Sequence, residues 1–172
     1  HVDDAYRKIF HISDPTKALV SDEKVDLEEF TKRIASLPLE FNPGDQWLYS
    51  VSIDICARLI EVISGKSIED YFQENIFDPL GMEDTGFFVK EENLKNLAAC
   101  YFRDENKKLH VHDPGAKESR YAKPREFNGG GSGLISTSFD YFKFLQMLLN
   151  GGTYNGNRIL SRKTIELMTM NH

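Results

Sequence analysis

Residues 42 to 50 read Asn-Pro-Gly-Asp-Gln-Trp-Leu-Tyr-Ser, and the side chain among them best suited to chemistry is Tyr49. Pro43 presets φ at the second position of a turn and Gly44 can take φ > 0, so the pair fits a type II turn. Trp47 and Leu48 follow as expected apolar anchors, and a helical pattern starts near Ser52. A phenol delivered from a pinned turn to a helix start can face a cleft and serve as a general acid or base. Taken by itself, a tyrosine at a helix start reads more simply as a packing or capping residue.

Three other groupings invite chemistry. The run Asn128 to Thr137 contains Gly129-Gly130-Gly131-Ser132-Gly133 but lacks the Gly-Lys-Ser/Thr ending of a phosphate loop. Leu134 stands where a nucleophile elbow needs its last glycine. The run is therefore expected to be a tight loop packed against neighbouring backbone, with Thr137 or Ser138 capping the next helix. His110-x-His112 with Asp113 puts two imidazoles on one strand face, but no third ligand stands at a diagnostic spacing, so exposed hairpin histidines are expected. Ser21-Asp22-Glu23-Lys24 matches Ser-x-x-Lys by letter. Its flanking carboxylates would keep the lysine solvated and charged, whereas the chemistry needs a desolvated amine one helical turn from the serine. That match reads as coincidence.

The elements that must position these residues are mostly helical. Residues 1–25 are polar and irregular. Asp26 is an expected N-cap, with Glu29 completing a capping-box-like pair before Leu27, Phe30, Ile34 and Leu37. The helix Ser52 to Ser64 is apolar nearly all round, with Asp54, Arg58 and Glu61 as a narrow polar stripe, which predicts a position between layers with Cys56 as a buried thiol. Gly65 ends it. Ser67 is expected to cap a short helix through Ile76 that Pro79 closes. A hairpin over residues 98–112 turns at Asp104-Glu105-Asn106. A helix with Tyr141, Phe142, Leu145, Leu148 and Leu149 ends at Asn150-Gly151-Gly152, and Ser161 starts a last short helix.

The chain of 172 residues is long enough for one domain with a real core, and residues 1–172 are expected to form a single domain. The predicted fold is mainly α with one small hairpin. A net charge of -6, with scattered basic residues, argues against nucleic acid as the main partner. No apolar stretch reaches the roughly 20 residues of a membrane span. Cys56 and Cys100 form no metal motif. No cofactor or metal is expected. The chain opens on His1-Val2-Asp3-Asp4 without an initiator methionine and is expected to be a piece of something longer.

Several pieces read together in order: Pro43-Gly44-x-x-Trp47-x-Tyr49-Ser50, Ile60 to Lys66, Ile76-Phe77-Asp78-Pro79-Leu80-Gly81-Met82-x-Asp84-Thr85-Gly86-Phe87, Gly131 to Thr137 with Asp140, and Leu148-Leu149-Asn150-Gly151-Gly152. The chain resembles the serine β-lactamase-related hydrolases, which include class C-type β-lactamases, DD-peptidases and related carboxylesterases. The likeness covers roughly residues 26–172. It implies a helical lobe of the α+β fold of that family, and acyl transfer through a serine ester on a β-lactam, peptide or ester substrate.

In that family a Ser-x-x-Lys supplies the nucleophile, a Tyr-x-Asn supplies a proton-transfer tyrosine, and a Lys- or His-Thr-Gly strand lines the acyl pocket. The resemblance assigns Tyr49 to the tyrosine. Val51 stands in place of the asparagine, which tilts the reading towards the esterase-like branch. No Lys- or His-Thr-Gly occurs, and the family's serine lies well upstream of its tyrosine, so the chain is expected to carry the tyrosine without its nucleophile. A free phenol titrates near pH ~10 and needs a neighbouring ammonium to exchange protons at neutral pH. The substrate of the full-length protein would be a small molecule or peptide. The resemblance further implies that the pieces forming the family's antiparallel sheet are missing from this chain, and the surface this leaves predicts self-association. Family members are often periplasmic, secreted or membrane-anchored. The competing reading is a non-catalytic module on the same scaffold, binding a peptide, cell-wall fragment or protein.

Overall fold

A computed structural model describes residues 25–171 of the chain. They fall into two compact units, one built from the chain up to Ile68 together with Glu126–Gly133, the other from Glu69–Arg125 with the chain from Leu134 onward.

In the first unit, helix α1 (Leu27–Ala35) starts where Asp26 accepts a hydrogen bond from the Glu29 amide at 2.8 Å. Its apolar residues Leu27 and Phe30 are buried, and the Phe30 ring packs on Phe127 with centroids 5.0 Å apart. Helix α2 (Ser52–Ser64) ends, as its sequence predicts, at Gly65 in the left-handed region, φ 70°. Arg58 bridges the two helices, pairing with Glu28 of α1 and, at 3.1 Å, with Glu61 of its own helix.

The burial of α2 departs from expectation. Only Ala57 is fully buried, while Ile53, Leu59, Val62 and Ile63 are more than half exposed and Cys56 is exposed too. The polar stripe and Ala57 face α1 and the glycine run, and no described residue of this unit covers the opposite apolar face. Among the described residues the apolar face of α2 is therefore open.

The second unit opens within a helical run over Ile68–Leu80, made of α3 (Ile68–Phe72), one π turn (Gln73–Phe77) and α4 (Asp78–Leu80), of which only Ile68 belongs to the first unit. Pro79 does not close it as predicted. Pro lies in the first turn of α4, where its missing N–H costs nothing, and Gly81 at φ 65° ends the run instead. Phe77, Leu80, Met82 and Met147 form the core here, with Phe72, Phe144, Leu148 and Tyr154 against them.

The predicted hairpin is present: β1 (Cys100–Arg103) pairs antiparallel with β2 (Leu109–Asp113), Phe102 opposite His110. Helix α5 (Ser138–Leu149) takes Thr137 as its N-cap, the side chain accepting from the Asp140 amide at 3.2 Å. A second hairpin, β3 (Thr153–Tyr154) with β4 (Asn157–Arg158), was not expected. Its two-residue loop is Asn155-Gly156, both at positive φ, 45° and 82°, the combination a type I′ turn requires. The signal was in the sequence, but the strands are too short to show an alternating pattern. Helix α6 (Arg162–Met168) begins at Ser161 as predicted. The described chain therefore combines helices with two small antiparallel sheets, one more than the sequence reading allowed.

Candidate active site

Tyr49 is set by a turn on one side and a helix on the other. The Asp45 amide donates to the Asn42 carbonyl at 3.1 Å and Gly44 sits at φ 93°, the geometry of the expected type II turn. Asn42 and Asp45 also join through their side chains at 3.2 Å. The segment 46–49 then runs without regular structure into α2, whose first amides, those of Asp54 and Ile55, donate to the Val51 carbonyl at 3.0 and 3.2 Å. Val51 occupies the N-cap position and offers no side-chain acceptor.

The phenol stands in the open. Tyr49 is 85% exposed, and its hydroxyl has no hydrogen-bond partner among the described residues. Trp47, at 84%, and Leu48 are exposed as well, so neither acts as the anchor predicted for it. The turn and the first hydrogen bonds of α2, not apolar burial, hold this segment.

The glycine run supplies the backing for α2. Asp54 Oδ1 accepts from the Gly131 amide at 3.1 Å. A Cβ on Gly130 would lie 2.8 Å from the Ala57 Cβ and against the Ile53 carbonyl, and one on Gly129 would lie 2.5 Å from Asp54 Oδ1. Glycine is needed because backbone lies on backbone, which is the close-packed loop the sequence predicted. The run and the tyrosine thus flank one short scaffold: the loop clamps the first turn of α2, and Tyr49 lies just before that turn, two residues ahead of the Val51 N-cap.

In the second unit two of the ordered motif pieces meet. Gly86 and Ile135 exchange both backbone hydrogen bonds, at 2.8 and 3.0 Å. Beside them Asp140, nearly fully buried, accepts from the Asp84 amide at 2.8 Å and the Thr85 hydroxyl at 3.0 Å, and pairs with Lys143 at 2.9 Å. Because Thr85 gives its proton to the carboxylate, the 2.8 Å contact between Thr85 and Ser136 is donated by Ser136. Sequence reasoning missed this hub, although an aspartate three positions after a Thr N-cap, following Ser136, is the available signal. Its chemistry is that of a clasp: every strong donor is matched to an acceptor.

The remaining described candidates belong to the second unit. His110 Nε2 lies 2.9 Å from Asp104 Oδ2, and Phe102 touches both His110 and His112, which places the two rings on one face of β2. Asp113 points elsewhere, into a loop, where it accepts from the Gly115 and Arg120 amides. Among the described residues no three His, Cys, Asp or Glu side chains gather in a group that could hold a metal ion. Ser21 and Lys24 lie outside the described residues.

Comparison with known proteins decides what this arrangement belongs to. Residues 11–171 match the family described as Beta-lactamase. The chain belongs to the beta-lactamase family. The match takes in all five ordered pieces from Pro43 to Gly152. An uncharacterised protein of Mycobacterium tuberculosis is 36% identical over 135 residues, covering 78% of this chain and 33% of that protein. A lovastatin esterase of Penicillium rubens is 28% identical over 175 residues, covering 95% of this chain and 41% of the esterase. Among solved structures, the octameric penicillin-binding protein homologue of Pyrococcus abyssi superposes with a TM-score of 0.66 at 25% identity, over 96% of this chain and 35% of that one. The fold is thus of the β-lactamase and penicillin-binding-protein type. The chain spans a third to two fifths of the length of these curated relatives. No helix among the described residues is long and apolar enough to cross a membrane.

Proposed function

We propose that this chain is the part of a β-lactamase-family serine hydrolase that carries the proton-transfer tyrosine, Tyr49, and one wall of its substrate cleft. The observation that carries the reading is the presentation of Tyr49: a solvent-facing phenol with no partner among the described residues, on a segment fixed by a type II turn and the first turn of α2. In the complete site a serine hydroxyl attacks the substrate carbonyl and its proton passes to the phenolate oxygen of Tyr49. The leaving group then departs with a proton, and water hydrolyses the acyl-serine ester. A lysine ammonium beside the phenol would favour the phenolate. On this reading the nucleophile and that lysine come from parts of the longer protein outside this chain.

Two features favour an ester over a β-lactam as substrate. Val51 places an aliphatic side chain where many members carry an amide, and the lovastatin esterase aligns along 95% of this chain. The two compact units are, on this reading, parts of one longer domain.

A fluorophosphonate probe followed by intact-mass spectrometry tests the proposal. The 172-residue chain should remain unlabelled, whereas the protein carrying the family's full length should take up one equivalent on a serine outside this chain. Stoichiometric labelling of the chain itself would contradict the reading. A full-length protein that fails to label would favour the competing module that binds without catalysis, to which the exposed Trp47, Leu48 and Tyr49 would lend a contact surface.

A further inference from the structure

The unit that does not contain Tyr49 holds a concave feature of its own. Between the end of α5 and helix α6 lies a cavity of about 510 Å³, walled by Leu148, Leu149 and Ile165 and lined by two arginines, Arg158 and Arg162. Both side chains pass beside Gly151. Arg158 Nη1 donates to the Gly151 carbonyl at 3.2 Å and to the Leu160 carbonyl at 3.0 Å, so main-chain acceptors hold this guanidinium and leave its charge uncompensated. The Arg162 stem passes 3.8 Å from where a Gly151 Cβ would stand, and its guanidinium has no partner among the described residues. Glu166 is the one carboxylate in the lining, and it also pairs at the exposed surface with Lys163 at 2.5 Å.

The lining therefore sets two fixed-charge cations against one carboxylate, a net positive charge. The end of α5 would repel an anion if its carbonyls were bare. Those of Gln146, Met147 and Leu148 are closed by the amides of Asn150, Gly152 and Gly151, and that of Gly151 by Arg158. A guanidinium presents a planar fork matched to a carboxylate, and one already pinned loses little freedom on binding. The aliphatic wall suits an apolar body rather than a bare ion.

We propose that this cavity binds a small amphipathic carboxylate, its charged end between Arg158 and Arg162 and its chain along Leu148, Leu149 and Ile165. The site is independent of the role given to Tyr49.

Titration of the full chain with octanoate tests it, read by amide chemical shifts and calorimetry. Octanoate should bind with a dissociation constant on the order of 1 mM and move the amides of Gly151, Arg158 and Ile165. Octanol, which lacks the charge, and acetate, which lacks the chain, should each bind at least about tenfold more weakly. Arg162→Glu should weaken octanoate about tenfold or more with its melting temperature kept, and Arg162→Gln serves if the charge reversal unsettles the fold. Octanol binding as tightly as octanoate, inorganic phosphate competing equally, shifts mapping elsewhere, or full affinity in a folded Arg162 variant would each overturn the proposal.

Discussion

Asp113 shows how one buried carboxylate can organise a loop. It accepts from the Gly115 amide at 2.9 Å, the Arg120 amide at 3.2 Å and the Ser119 hydroxyl. Burial pushes its acidity down, yet these bonds and the Arg120 charge together outweigh burial and hold its pKa below the usual carboxylate range. Asp113→Ala should cost about 2–3 kcal/mol, since the donors lose a charged acceptor inside the protein, and thermal unfolding at neutral pH reads that loss. The pH dependence has a fixed sign. The unfolded chain binds the proton more readily than the folded one, so the contribution is full above the unfolded value near pH ~4 and disappears as pH falls through the lowered folded value. Unfolding midpoints of wild type and Asp113→Ala should therefore converge on acidification, and a gap that persists to the lowest pH would show that the carboxylate's charge is not responsible. Tyr49 is the opposite kind of residue, since its exposure and lack of partners leave stability almost indifferent to it.

At the scale of elements, the pairing of α2 with the glycine run makes the sharpest demand. Gly130→Ala would press a methyl onto the Ile53 carbonyl and within 2.8 Å of Ala57. Overpacking of this kind costs about 1–3 kcal/mol. Urea unfolding of the variant should show it, while the exposed Gly44, whose Cβ position meets nothing within 4 Å, is limited only by its φ of 93°. Unchanged stability in Gly130→Ala would mean that the loop does not lie on α2. Most of these elements were legible in the sequence. Asp26, Thr137 and Ser161 cap helices because their side-chain oxygens meet amides three residues on, a purely local relation. Pro79 was misread because the rule that proline ends a helix does not hold in a first turn, and the π turn before it starts a new one. The burial of Trp47 and Cys56 was misread because burial depends on what lies opposite, which periodicity does not report.

For the whole molecule, the candidate site was legible only through several motif pieces in order. Tyr49 alone would have passed as packing. The Asp140 hub and the paired arginines at Gly151 escaped notice, because each joins residues far apart in sequence or outside any motif. The open faces carry a physical consequence. Ile53, Leu59, Val62 and Ile63 on α2, with Trp47 and Leu48 before it, leave much apolar surface in water, and surface of that kind favours association. Sedimentation velocity of this chain should show a concentration-dependent dimer or larger species, which Ile63→Lys should weaken. A monomer at all concentrations would contradict this.

The role of Tyr49 itself is tested by steady-state hydrolysis of p-nitrophenyl butyrate by the full-length protein and its Tyr49→Phe variant. Loss of a general acid–base group predicts a fall in kcat of about 10²–10⁴-fold, with KM and the melting temperature little changed. A variant that keeps wild-type kcat while remaining folded would show that Tyr49 is not the residue that moves the proton.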